Sequence, residues 1–65
     1  MTHIERIQQE KLEVDQRLAK LDLFLSTNST VDLLDSVSIM LMYTQRDIMS
    51  AYSGILQTRL NHDLA

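Results

Sequence analysis

The first twenty-five residues carry mostly apolar side chains at alternating steps of three and four. The positions that follow this spacing are Ile4, Ile7, Lys11, Val14, Leu18, Leu21 and Leu25. Side chains at these steps share one face of an α-helix, as they do in the seam of a coiled coil. The pattern therefore predicts an amphipathic helix over about residues 2–25. Its solvated face is expected to hold the acidic residues Glu5, Glu10, Glu13, Asp15 and Asp22.

A polar break, STNST at residues 26–30, interrupts this pattern. Short hydroxyl and amide side chains compete for backbone hydrogen bonds and favour caps and turns. Ser29 followed by Asp32 resembles a capping box and predicts a short helical turn at about residues 30–35. Asp35 or Ser36 can then cap a second long helix over about residues 36–61. The expected fold is all-α: a two-helix antiparallel hairpin with a short helical turn between, forming one domain over residues 1–65.

The second helix carries two stripes of residues at helical spacing. The aliphatic stripe consists of Leu34, Val37, Leu41, Thr44, Ile48, Ala51, Ile55 and Thr58. The mixed stripe consists of Met42, Gln45, Met49, Tyr52, Leu56 and Arg59. We expect the aliphatic stripe to pack on the first helix of the same chain. The mixed stripe would then be exposed unless another chain covers it, which predicts a homo-oligomeric helical bundle.

The mixed stripe combines an amide, thioethers, a phenol, an aliphatic group and a guanidinium, so it suits either an interface or a ligand site. The candidate ligand-binding residues are Gln45, Met49, Tyr52 and Arg59. A tyrosine ring can stack on a base, and a guanidinium can hold a phosphate through two hydrogen bonds. The candidate oligomer-interface residues are Met42, Met49, Leu56 and Gly54. Glycine within a helix costs about 1 kcal/mol relative to alanine. Gly54 is therefore either simply tolerated, or it allows a close helix crossing or makes room for a ligand.

Size and charge restrict the classes of partner. A chain of 65 residues without cysteine or proline has no disulfide or thiolate zinc site to stabilise a small core, which also favours oligomerisation. The net charge is −3, and the basic residues are scattered among acids, so binding of long nucleic acid is not expected. The sequence contains neither a membrane span nor a signal peptide, which predicts a cytoplasmic protein that does not bind membranes.

The sequence contains no catalytic constellation, so we expect neither an enzyme nor a bound cofactor or metal. Its two histidines, His3 and His62, lie near the chain ends. In an antiparallel hairpin these ends are neighbours, and a dimer could gather four imidazoles. Two solvated histidines are the simpler expectation.

The residue pattern resembles that of very small helical proteins encoded by bacteriophages. The first helix ends in KLDLFL, a polar break follows, and the second helix has Leu41, Gln45, Met49, Tyr52, Ile55-Leu56 and Arg59-Leu60 in order. Val31 stands where such proteins usually have an aromatic residue after the break. Several of these hairpin proteins oligomerise and sequester the cyclic nucleotide signals of bacterial antiviral systems. The resemblance implies a phage counter-defence protein, or sponge, that acts in the cytoplasm of the host bacterium.

Two other functions fit the same residues. The mixed stripe and its methionines could dock a host or phage protein, which would make the chain an adaptor or inhibitor. Alternatively, the chain could be a structural coiled-coil piece of a phage assembly. Gln45 and Arg59 favour a polar ligand, whereas Met42 and Met49 favour a protein partner.

Overall fold

The computed structural model of the chain describes residues 1–27 and 33–64, which form two helices and no strand. Helix α1 spans His3–Ser26, and helix α2 spans Ser36–Asp63. The predicted ranges of about 2–25 and 36–61 agree with these bounds to within two residues, and the all-α hairpin is confirmed. Of the short helical turn predicted at about residues 30–35, residues 30–32, including Val31, lie outside the described part of the chain, and residues 33–35 form a turn and a bend rather than a helix.

Both helices begin at a side chain that accepts a hydrogen bond from the backbone. The Thr2 hydroxyl oxygen accepts from the backbone N–H of Glu5 at 3.1 Å and donates to the Glu5 carboxylate at 3.1 Å. At α2, the Asp35 carboxylate accepts from the backbone N–H of Ser38 at 2.7 Å. These bonds satisfy backbone donors that the first turn of a helix leaves without partners. Asp35 is thus the predicted cap of the second helix.

The inner face of α1 is the row that the sequence predicts. Ile7, Val14 and Leu25 are buried, and Ile4 packs against the same core. Across the interface, α2 contributes the buried residues Leu56 and Leu60. The core is small because two helices can cover only one side of each other.

The face that α2 turns toward α1 differs from the expected one. Its half-buried and buried positions repeat at steps of three and four: Ile39, Met42, Arg46, Met49, Ser53, Leu56 and Leu60. By contrast, Val37, Leu41, Ile48 and Ile55 of the aliphatic stripe are exposed. The prediction that the aliphatic stripe packs on α1 is therefore wrong. The polar members of the observed face bond to carboxylates of α1, so packing here does not follow hydrophobicity alone.

The two helices run antiparallel along their whole length. Contacts join Arg46 to Asp22 near the loop and His3 to Asp63 at the open end. The hairpin measures 45 × 16 × 15 Å, the dimensions of two helices side by side.

Candidate functional site

The structure divides the mixed stripe lengthwise. Met42 and Met49 are half-buried and Leu56 is fully buried against α1. The other members are exposed and form a row at the edge of the helix interface, which we call the rim row: Gln45, Tyr52 and Arg59. Each rim residue lies four positions after a member of the aliphatic stripe, so the rim row separates that stripe from α1.

Within the rim row, Tyr52 is hydrogen-bonded to α1. Its hydroxyl donates a hydrogen bond to the Glu10 carboxylate, and its side chain keeps 38% of its surface exposed. The bond to Glu10, together with burial, raises the pKa of Tyr52 above its usual value of about 10, because a phenolate could no longer donate that hydrogen bond. A partly exposed ring whose hydroxyl is held in place suits stacking on a planar group.

Arg59 supplies positive charge beside Tyr52. Its guanidinium acts on the Tyr52 phenol in the opposite sense to Glu10, partly lowering the pKa of that group. The rim row thus carries a cation, an aromatic ring and a neighbouring carboxylate within one stretch of surface. These are the groups that recognise a phosphate, a base and a ribose or base donor, respectively.

Gln45 lies further along the rim row, where its amide nitrogen is 3.8 Å from the sulfur of Met49. Three positions before Met49, Arg46 approaches Asp22 of α1 at 3.8 Å. Its guanidinium carbon also lies 4.8 Å from the ring centroid of Tyr43, over which it stacks. Of the four predicted ligand-binding residues, Gln45 and Met49 contact each other in the structure. The structure also places Arg59 near Tyr52. Their binding role stays a prediction.

The middle of the hairpin is joined by a second polar contact. The Ser53 hydroxyl donates to Asp15, and Lys11 binds the other oxygen of that carboxylate at 2.6 Å. The Lys11 ammonium, followed by the Ser53 hydroxyl, lowers the pKa of Asp15. Polar residues at these inner positions are therefore bonded, and none of the described residues has a buried side-chain polar atom without a partner.

The chain ends meet as the sequence predicts. One carboxylate oxygen of Asp63 lies 3.2 Å from His62 Nδ1, and the other lies 2.9 Å from His3 Nε2. These contacts lower the pKa of Asp63. Both histidines are solvent-exposed. Within residues 1–27 and 33–64, no group of three metal-ligating side chains comes together.

Three acidic residues that the sequence assigns to the solvated face reach α2 instead: Glu10, Asp15 and Asp22. Each lies next to a residue of the α1 inner face, at the flanking positions where coiled coils place contacts between helices. That flanking position is the signal that could have identified them.

Two of the oligomer-interface candidates behave differently in the hairpin. Gly54 lies in open space, because a Cβ placed there would meet no atom within 4 Å. Leu56 is covered by α1. Whether these residues contact another chain stays a prediction.

The part of the chain that the structure describes contains no enclosed pocket. No helix among these residues is long and apolar enough to cross a membrane.

Comparison with known proteins identifies a family match. The model of a family described as Sequestin matches residues 1–62. Neither the curated proteins nor the solved structures contain a match to the chain.

Proposed function

The chain belongs to the Sequestin family, whose name denotes sequestration, and we propose that it binds a small nucleotide signal and withholds it from its receptor. In this function the protein is a sponge: it binds without catalysis and uses no cofactor. The rim row supports this proposal most directly, because it places Arg59 near Tyr52 with the Glu10 carboxylate alongside.

Each rim residue has a distinct task in the proposed site. The Tyr52 ring stacks on a base, and the Gln45 amide reads the base edge through its donor and its acceptor. Arg59 holds a phosphate, and two hydrogen bonds from one guanidinium fix the phosphate orientation. Half-buried Met49 supplies apolar contact beneath them.

The site needs more than one chain. A hairpin 16 Å across cannot surround a nucleotide, whereas a cleft between chains can bury most of a small ligand. We therefore propose a homo-oligomer with its ligand sites between chains. Its source would be a phage, and its place of action the cytoplasm of the infected bacterium. Neither long nucleic acid nor a membrane takes part.

The direct experiment measures binding of a panel of cyclic nucleotides by isothermal titration calorimetry. We expect the unaltered protein to bind at least one member, and Arg59→Ala and Tyr52→Ala to weaken that binding by ten-fold or more, the loss typical of a charged hydrogen bond or an aromatic stack. Two matched controls remove the same side chains elsewhere. Arg17→Ala changes an exposed arginine of α1, and Tyr43→Ala changes the tyrosine outside the rim row.

An unbiased version identifies the ligand. Protein purified from bacteria with active antiviral signalling is heated, and the released small molecules are identified by mass spectrometry. If no nucleotide is released and none of the panel binds, the sponge proposal is wrong. The adaptor function would then be the better account, since the exposed aliphatic stripe is also suited to a protein partner.

A further inference from the structure

The aliphatic stripe remains uncovered in the hairpin. Its four large members within α2, Val37, Leu41, Ile48 and Ile55, are each between 56% and 64% exposed. From Val37 to Thr58, at about 1.5 Å per residue, the stripe extends over about 32 Å. No charged residue interrupts the row. An apolar face this long is unusual for a surface that stays in water.

The two hydroxyl groups in the stripe are already bonded within their own helix. Thr44 Oγ1 donates to the backbone carbonyl of Met40 at 2.9 Å, and Thr58 Oγ1 donates to that of Gly54 at 3.0 Å. Each threonine can therefore offer its methyl group to a partner without leaving a buried donor unbonded. Covering the stripe removes few hydrogen bonds to water.

The surface of the chain is larger than its mass requires. The hairpin exposes 4868 Å². A compact monomer of 7.5 kDa exposes about 4,200 Å², so the excess is roughly 600 Å². Stable contacts between proteins bury about 800 Å² on each partner. One further helix face against α2 would therefore bring the chain close to the surface of a compact protein.

We propose that a second copy of this chain covers the aliphatic stripe, with the two α2 helices antiparallel and Ile48 at the two-fold axis. The regular steps of three and four match those of an identical helix, since such spacing gives knobs-into-holes packing. In this register Leu41 faces Ile55 of the partner subunit, and aliphatic side chains meet along the whole stripe. The antiparallel arrangement also sets opposite ends of the two helix dipoles together, which favours it over a parallel pair.

This arrangement places the two rim rows on one face of the dimer. The two-fold axis is perpendicular to the plane of the paired α2 helices, so a residue in front of that plane stays in front in both copies. The bond from Tyr52 to Glu10 shows that α1 lies on the rim-row side of the stripe. The two α1 helices therefore flank a groove whose floor holds both rim rows. The two Tyr52 residues are about 12 Å apart along the helix axes.

The inference deepens the assembly part of the proposed function and rests on it. It specifies a shared groove with two copies of Tyr52 and Gln45, which suits a ligand with two bases or with a base and a second planar group. A parallel dimer would place the rim rows on opposite faces and would create no shared groove.

The first test introduces a charge at the proposed axis. Ile48→Glu should convert a particle of at least twice the 7.5 kDa chain mass into the single chain, with a rise of at least about 100-fold in the dissociation constant, because two carboxylates would be buried together. Leu12→Glu adds the same charge at a half-exposed leucine of α1 and should leave the mass unchanged. Multi-angle light scattering gives the mass, and circular dichroism confirms that the helices remain. An unchanged mass for Ile48→Glu, or dissociation by Leu12→Glu alone, would overturn the proposal.

The second test measures orientation by disulfide formation, which is unambiguous because the chain has no cysteine of its own. A mixture of Leu41→Cys and Ile55→Cys should form mostly the mixed disulfide, and Ile48→Cys should couple to itself. A predominance of disulfides between like variants of Leu41→Cys and Ile55→Cys indicates a parallel dimer and contradicts the proposed groove. A mixture that remains oligomeric without any disulfide places the contact elsewhere, since such bonds require Cα atoms within about 7 Å.

These outcomes are separate from those of the ligand experiment. If Ile48→Glu dissociates the protein and the mixed disulfide forms, the interface stands even when no nucleotide binds. If a nucleotide binds but Ile48→Glu leaves the mass unchanged, the sponge stands and this interface is wrong. A monomeric unaltered protein would remove both the interface and the proposed site between chains.

Discussion

Leu56 illustrates how much a single side chain contributes to so small a core. It has 0% of its surface exposed and lies among Ile7, Val14 and Leu60. The sequence correctly places Leu56 on a row with Met49. It does not predict that this row faces α1. The two apolar rows of α2 differ in the polar contacts that neighbouring side chains make with α1. A pattern of hydrophobic positions does not predict those contacts.

Leu56→Ala should therefore reduce the free energy of unfolding by about 2–5 kcal/mol, since it leaves a cavity in the core. Leu23→Ala is a matched control: the same substitution, in a helix, at a side chain that is 70% exposed. It should change the free energy of unfolding by less than about 1 kcal/mol, because Leu23 buries little surface and alanine forms helices at least as well as leucine. Urea unfolding followed by circular dichroism compares the two variants, and equal losses would contradict the observed packing.

Tyr52 should titrate above the usual tyrosine pKa of about 10 because it donates to Glu10. A raised pKa in the folded state means that the contact stabilises the hairpin fully below pH 10 and is lost as the pH rises through the folded-state pKa. In a Tyr43→Phe background, phenolate absorbance reports Tyr52 alone. Adding Glu10→Gln should shift that titration to lower pH. If Glu10→Gln leaves the Tyr52 titration unchanged, the hydrogen bond between Tyr52 and Glu10 is not formed in solution.

At the scale of elements, the sequence predicts helix type, bounds and caps well. Periodic spacing over more than twenty residues determines α1, and Asp35 marks the start of α2. It predicts the orientation of α2 poorly, because two apolar rows at helical spacing are equally compatible with one helix. Arg46, through an ion pair with Asp22, and Ser53, through a hydrogen bond to Asp15, favour the observed row. For the candidate site, the sequence supplies Tyr52 and Arg59 but not Glu10, which comes from the other helix.

Gly54 provides a test of helix α2. Because no atom lies within 4 Å of the position that a Cβ would occupy, Gly54→Ala should stabilise the hairpin by about 0.5–1 kcal/mol through lower backbone entropy in the unfolded state. Thermal unfolding measures the change, and light scattering on the same sample measures assembly. Destabilisation accompanied by loss of mass would instead show that Gly54 allows a close contact between chains.

At the scale of the whole molecule, acid should loosen the hairpin. The carboxyls whose pKa is lowered are Asp15, Asp35 and Asp63. The largest causes are the bonds from Lys11 to the first, from the Ser38 backbone to the second and from His62 to the third. Lowered values mean that their stabilising contribution is complete above pH 3.8 and is lost as the pH falls through the folded-state pKa.

Helix content measured by circular dichroism should therefore hold steady from neutral pH to about 4 and decrease below it. A variant with all three residues changed to asparagine keeps a competent cap at position 35 and removes the three titrations. Its helix content should depend less on pH in that range. An identical acid transition in the variant would assign the effect to other carboxyls.

The polar contacts across the hairpin also select one alignment of the two helices. The inner rows repeat every seven residues, so sliding α2 by two turns would again set inner positions of one helix against inner positions of the other. The same slide would separate Tyr52 from Glu10 and Ser53 from Asp15. These polar pairs form in only one register of the two helices, so they favour the observed alignment over the others that the apolar rows allow. Sequence changes that keep the apolar rows but exchange the polar pairs should produce chains that remain helical and lose a unique alignment.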